Sequence, residues 1–380
     1  MNLFDVYPLF DISIVRAQGS DLWDDKGHQY LDLYGGHAGI SIGHSHPHYV
    51  RKLKEQLDQI GFYSNSVKIN PQLELAKKLG ELSGYDEYNL FLCNSGAEAN
   101  ENAFKVASFH TGRKKVIAFT KSFHGRTSLA VSATDDKSII APVNETENIR
   151  FLPFNDEEAL EKALNKDIAA VIIEGIQGVA GISVPTVSFL KKLEILCKQN
   201  SILLILDEVQ SGYGRSGHFF AHQHAGIKPD LITTAKGMGN GFPIASVLIA
   251  PHIKARPSML GTTFGGNYLA CAAGIAVLDV IKEEQLISHA WQTGDRWMKE
   301  LRQLKGIKEV RGQGLMIGIE LNGPSADIRK KLVTEKGIFT GSASDKNVIR
   351  LLPALTIQQT DIDLFNTALA ELVSKNTVAV

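Results

Sequence analysis

The chain has 380 residues, of which 44% are hydrophobic and 21% charged, and its formal net charge is -1 at pH 7. These are values of a folded globular protein, and the balanced charge leaves no basic footprint for nucleic acid or an anionic membrane, so the expected partner is a small molecule. Single cores stop growing at roughly 250 to 300 residues, so a second packed unit is expected.

The opening stretch MNLFDVYPLFDIS carries Asp5, Pro8 and Asp11 where a secretory signal needs a basic start and an unbroken apolar stretch. No run of about 18 apolar residues follows anywhere. Cys93, Cys197 and Cys271 are odd in number and far apart, which fits neither a disulfide framework nor a zinc knuckle. A cytoplasmic protein is expected.

Residues 1–45 contain the strand-like SDLWDDKGHQYLDLYGG with a D-K-G turn, followed by the loop GHSHPH. They are expected to form an N-terminal segment that packs with a smaller domain. From about residue 89 to 250, NLFLC, KVIAF, AAVIIE, ILLILD, LITTA and IASVLIA are short apolar runs separated by helix-length segments. TVSFLKKLEILCKQ, at 186–199, has the three- and four-residue apolar steps of a covering helix. This rhythm predicts an α/β fold, a large domain over 46–282 with a mostly parallel sheet between helices. Residues 283–380 place helical segments around short strands near 307–320 and 348–352, a smaller α+β domain.

Ligands of such sheets bind beyond the carboxyl ends of the strands. There the apolar start of SILLILDEVQSGYGRSG runs into Asp207 and Glu208, and carboxylates on so apolar a strand need a cation. A magnesium ion in a P-loop site would require the dipeptide Gly-Lys, which occurs nowhere in the chain. A metal held by His44, His46 and His48, with His222 and His224 as further candidates, would make a metal-dependent hydrolase. Gly43 and Pro47 make that stretch a loop, so histidines capping a polar loop are preferred and the hydrolase stays as the remote alternative.

The third cation is the protonated ring nitrogen of pyridoxal 5'-phosphate. PDLITTAKGMGNGFP puts Lys236 at the end of the next strand-like run, before Gly237, Gly239 and Gly241, where partial desolvation frees an amine to join the cofactor's aldehyde. A carboxylate and such a lysine are the pair this cofactor requires. Glu208 need not touch the ring, and Gln210 offers a contact if the chain turns there. In FLCNSGAEANENAFKVA a strand runs through Asn94, Ser95 and Gly96 into a helix whose free N–H groups suit a phosphate, although a plain Ser95 helix cap reads equally well.

SGAEAN, FHGRT, DEVQSGYGRSG, TTAKGMGNGFP and TTFGGN, in this order, make the chain resemble the class III aminotransferases of fold type I, and among them the acetylornithine aminotransferases. The resemblance covers most of the chain. It implies that Lys236 binds the cofactor and shuttles the proton, that Asp207 pairs with the ring nitrogen, and that Gln210 lies near the phenolic oxygen. It also implies that Phe123 and Val209 sandwich the ring, with Glu208 counted among the contacts. Ser95, Gly96 and Ala97 would hold the phosphate, completed by Thr263 from a second subunit of a homodimer. Arg126, with Thr262 nearby, would take the α-carboxylate of an acyl-ornithine, and Arg350 the α-carboxylate of glutamate.

The implied reaction moves the δ-amino group of N2-acetyl-L-ornithine to 2-oxoglutarate in arginine biosynthesis. The alternatives are N2-succinylornithine, ornithine or another ω-amino acid. One departure stands out: EGIQGV keeps Glu174 but has Val179 where relatives commonly carry a second acid, a potential partner of Arg350. With Lys68 in SNSVKIN expected near the entrance, the added positive character favours an acyl group that bears a carboxylate.

Overall fold

The computed structural model describes the backbone of residues 1–377 and side chains to residue 374. The strands are β1 (Ile14–Gln18), β2 (Asp21–Asp24), β3 (Gln29–Asp32), β4 (Asn89–Cys93), β5 (Lys115–Phe119), β6 (Ile149–Leu152), β7 (Ile168–Glu174), β8 (Leu203–Asp207), β9 (Leu231–Thr234) and β10 (Ala245–Ile249), then β11 (Ile307–Gln313), β12 (Met316–Leu321), β13 (Ile338–Phe339), β14 (Gly341–Ser342) and β15 (Val348–Leu351). The central sheet has seven strands in the order β4-β10-β9-β8-β7-β5-β6. Its interior pairings β5–β7, β7–β8 and β8–β9 are parallel, and β10 runs antiparallel to both β4 and β9. The six expected strands are all present. Edge strand β6, whose half-exposed IRFL lacks a continuous apolar run, was not foreseen.

Every residue of β7, β8 and β9 is buried, because the sheet is covered on both faces. The two-residue alternation of the strands divides their side chains between two cores. Ala170, Ile172, Leu203 and Ile205 join Ala99, Ala103 and Ala107 of the helix Gly96–Thr111, whose small residues recur every four positions. Val171, Ile173, Leu204 and Leu206 join Phe189, Leu190, Leu193 and Cys197 of the helix Val187–Asn200. Thr186 starts that helix by accepting from the N–H of Phe189, and Ser201 ends it in a left-handed conformation.

Two four-stranded sheets complete the fold, in the orders β1-β2-β3-β13 and β11-β12-β15-β14. Strand β3 pairs in parallel with β13, Leu31 opposite Ile338, so the first 45 residues share a sheet with the C-terminal part of the chain. The largest apolar cluster runs from Leu75 and Ile244 through Val277 and Ile281 to Trp297 and Phe365, and packing is therefore continuous across residue 283. Among the described residues no helix is long and apolar enough to cross a membrane.

Candidate active site

The register of the central strands sets Glu174 beside Asp207 and Asp207 beside Thr233, so the ends of β7, β8 and β9 are level. Beyond them lies a cavity of about 660 Å³ whose wall includes Gly96, Ala97, Phe123, Arg126, Asp207, Val209, Gln210, Lys236 and Arg350. These nine come from segments more than 250 positions apart in the chain between Gly96 and Arg350.

Asp207 is only 4% exposed. Its Oδ2 accepts from Asn100 Nδ2 at 2.8 Å and lies 2.7 Å from His124 Nδ1, while its Oδ1 accepts from the Val209 N–H at 3.0 Å. Asn100 is held in turn: it donates to the His124 carbonyl at 2.7 Å and accepts from Thr233 Oγ1 at 2.7 Å. The carboxylate is thus fixed by two helix- and loop-borne side chains, and His124 keeps a buried Nε2 without a partner among the described residues. Asn100 and His124 were not singled out on the sequence, although both lie inside the quoted SGAEAN and FHGRT.

Lys236 follows β9 with φ at 47°, a left-handed backbone that costs a non-glycine residue energy and clusters at functional sites. The surroundings enforce it. Asn240 accepts from the N–H groups of Ser41 and Ile42 at 2.9 and 3.0 Å, and Ser41 Oγ donates to the Gly237 carbonyl at 2.7 Å, which pins the lysine loop to the N-terminal segment. Burial pushes the ammonium pKa down, against the attraction of Asp207 and Glu174, and no hydrogen bond engages it among the described residues. A readily deprotonated amine facing a cavity is a nucleophile.

At the start of the helix Gly96–Thr111, the N–H groups of Gly96 and Ala97 have no partner among the described residues, and both residues line the same cavity. Gly96 must be small: a Cβ there would lie 2.7 Å from Val209 Cγ1. Arg350, on β15 and also in the cavity wall, is 4% exposed; its Nε donates to the Ser342 carbonyl, Nη1 to Gln210 Oε1 at 3.5 Å and Nη2 to the Tyr34 hydroxyl at 3.3 Å. Arg126 is exposed at the cavity wall. Glu174 accepts from the N–H groups of Phe123 and Gly178, both at 3.0 Å, and burial pushes its pKa up to about 7. Tyr34, His37 and Ser342 also line the cavity and were not anticipated; the signal for the first two was the glycine pair between them in YGGH.

Several expected residues lie elsewhere. Glu208 is corrected: strand alternation turns it away from Asp207, and both its oxygens are occupied, Oε1 by His222 Nδ1 at 2.7 Å and the His222 N–H at 3.0 Å, Oε2 by Ser211 Oγ at 2.6 Å and the Ala221 N–H at 3.0 Å. Ser95 is exposed and its Oγ caps the helix by accepting from the Glu98 N–H at 3.2 Å. Thr262 Oγ1 accepts from the Gly265 N–H at 3.0 Å, and neither it nor exposed Thr263 lines this chain's cavity. Lys68 is exposed and likewise outside the cavity wall. The alternating histidines diverge, His44 to Asp32, His46 to Glu284 and His48 to Asp279, and among the described residues no group of three side chains could hold a metal. The hydrolase alternative finds no site among the described residues.

The profile of the family "Aminotransferase class-III" matches residues 5–373. The chain is a class III aminotransferase. It is 41% identical over 365 residues to an acetylornithine aminotransferase of Archaeoglobus fulgidus, covering 95% of this chain and 96% of that one. It is 41% identical over 382 residues to the acetylornithine aminotransferase of Bacillus subtilis, covering 98% and 96%. The crystal structure of acetylornithine aminotransferase from Elizabethkingia anophelis superposes with a TM-score of 0.86 at 31% identity, covering 97% of this aminotransferase and 95% of that chain.

The residues present fit the family's cofactor, pyridoxal 5'-phosphate. Two unpartnered helix N–H groups suit its phosphate, a buried, oriented carboxylate suits its ring nitrogen, and a half-buried lysine with no hydrogen bond among the described residues suits its aldehyde. When bound, it supplies the carbonyl that takes up the substrate's amino group and a ring that delocalises the electron pair left by a departing proton.

Proposed function

We propose that this aminotransferase moves the δ-amino group of N2-acetyl-L-ornithine to 2-oxoglutarate, yielding N-acetylglutamate 5-semialdehyde and L-glutamate, a step of arginine biosynthesis. The observation that carries the reading is the pair Arg126 and Arg350 on one cavity with Lys236, neither arginine in an ion pair with a carboxylate among the described residues. Two guanidinium forks match a substrate pair in which the acceptor has two carboxylates and the donor one. The names carried by relatives at 41% identity support the acetyl donor.

In this reading Lys236 Nζ removes the proton from the carbon bearing the amino group and returns it to the cofactor side, and its lowered pKa keeps the neutral amine accessible. Asp207, held by Asn100 and His124, keeps the ring nitrogen protonated. Arg126 holds the α-carboxylate of the donor and Arg350 that of glutamate. A carboxylated acyl group loses the support of Lys68, which lies outside the cavity wall.

A homodimer is part of the proposal. Exposed Phe62 and Phe264, 44% and 58% accessible with ring centroids 5.2 Å apart, flank Thr263 with apolar surface suited to a second copy. A partner's copy of Thr263 would then reach the phosphate. The large and small domains divide near residue 283 in this reading, and a cytoplasmic location suits a biosynthetic transaminase.

The test is the near-visible absorbance of the purified holoenzyme, with N-acetylornithine, N-succinylornithine and ornithine in separate cuvettes. A cofactor band that collapses most efficiently with N-acetylornithine and returns with 2-oxoglutarate supports the assignment. Greater efficiency with another amine reassigns the donor, and a band unmoved by all three overturns the reading.

A further inference from the structure

Among the described residues the hydrogen-bond and ring contacts of Arg350 are all neutral: the Ser342 carbonyl, the Gln210 amide oxygen, the Tyr34 hydroxyl, and the Tyr34 ring, whose centroid is 5.7 Å from the guanidinium carbon. Glu174 attracts it only from a distance, and a buried guanidinium with no carboxylate in contact is costly, so its orientation has to be enforced by its neighbours. Position 179, which faces the same cavity, is a valine and offers no charge.

Tyr34 is itself locked. A Cβ on Gly341 would lie 2.3 Å from its Cε2, so the ring is seated directly on the backbone of β14. Its hydroxyl is hydrogen-bonded to His37 Nδ1, and the two rings are 4.6 Å apart. The turn that returns His37 to Tyr34 holds His37 and Ala38 at φ of 65° and 68°, conformations disfavoured for residues with a side chain, and closes through Ala38 N–H to the Tyr34 carbonyl at 3.0 Å. Arg329, within electrostatic reach of Tyr34, adds a second guanidinium, whose buried Nε has no partner among the described residues. With His37 Nδ1 as acceptor, the tyrosine proton is committed to the histidine and the lone pairs of Oη remain for Arg350.

We propose that Tyr34, fixed by His37, is the positioning residue for Arg350: it orients the guanidinium without neutralising it, so that a dicarboxylate acceptor meets an arginine already in place and at full charge. The inference rests on the transaminase reading above only through the acceptor. Its signature is an effect on acceptor binding that exceeds any effect on the donor.

The experiment titrates glutarate, a dicarboxylate that cannot accept an amino group, into holoenzyme loaded with pyridoxal phosphate, and follows binding by calorimetry. Melting temperature and the cofactor band report whether each variant is folded and loaded. Arg350→Ala should abolish the binding. Tyr34→Phe, which keeps the ring, should weaken it about 3- to 10-fold, the range for loss of one ordinary hydrogen bond. Tyr34→Leu should weaken it further, and His37→Ala should follow Tyr34→Phe. In single-turnover experiments Tyr34→Phe should raise the apparent constant for 2-oxoglutarate at least three times more than that for the amino donor. Wild-type affinity for glutarate in both Tyr34 variants would overturn the proposal, as would equal losses in the two half-reactions, which indicate a general structural defect. Glutarate binding that survives Arg350→Ala would overturn the assignment of the acceptor to Arg350, and this proposal with it.

Discussion

Asp207 and Glu208 are adjacent in the chain, yet each is paired with a different histidine, His124 and His222, at the same 2.7 Å. Strand geometry sends successive side chains to opposite sides, so one carboxylate faces the cavity and the other is sealed in a network. His222 Nε2 continues that network to the Tyr85 hydroxyl at 2.6 Å, and burial pushes the Tyr85 pKa well above its ordinary value.

The two acids should therefore fail in different ways. Asp207→Asn should leave a folded, cofactor-binding protein whose single-turnover rate falls by a factor of about 100 or more, because the ring nitrogen loses its anionic partner. Glu208→Ala should lose about 3 kcal/mol of stability, since it strands a buried histidine and two N–H groups. Urea denaturation of both variants separates the cases; equal destabilisation would contradict the division of labour.

Lys236→Ala should abolish turnover while permitting non-covalent binding of the cofactor, because Asp207 and the helix N-terminus remain. The check is borohydride treatment followed by mass spectrometry: the wild type should retain a cofactor adduct on Lys236 and the variant none. Multiple turnovers by Lys236→Ala would refute the assignment.

Gly96→Ala introduces a methyl group 2.7 Å from Val209 Cγ1 at the point where the helix N–H groups meet the cavity. We expect the dissociation constant for pyridoxal phosphate to rise at least about tenfold through displacement of Val209 or the helix start. Fluorescence titration of the cofactor-free protein measures it directly, and wild-type affinity would mean that Val209 yields without cost.

Burial is the main cause that pushes the Glu174 pKa from 4.5 up to about 7; His124 and the two N–H bonds oppose it and Asp207 adds to it. The folded protein therefore binds a proton more tightly there than the unfolded chain. The associated stability is complete below about pH 4.5 and is lost as pH rises through about 7. In the cofactor-free protein, Glu174→Gln should flatten the decline of the urea midpoint across that interval. An unchanged slope would show that other groups govern it.

Much of the fold was legible because its signals are local. The apolar runs of β4, β5, β7, β8, β9 and β10 and the apolar period of the helix Val187–Asn200 each lie within a short window. Edge strand β6 and the short β13 were not legible, since a strand with one exposed face or two residues has little pattern of its own. Lys236, Asp207 and the Gly96 turn were also readable, each standing at the end of a strand-like run.

What the sequence by itself determined is therefore the order of the elements and the chemistry delivered at their ends, a lysine, a carboxylate and a glycine turn, while the two arginines came only from the family resemblance. Only the tertiary structure decided which of two adjacent acids faces the cavity, because the direction of a side chain depends on which helix covers which face. It alone seated Tyr34 and His37 against Arg350, more than 300 positions away, and left Lys68, Thr262 and Thr263 outside this chain's cavity. Those relationships arise from packing between segments distant in the chain, and no local window of residues contains them.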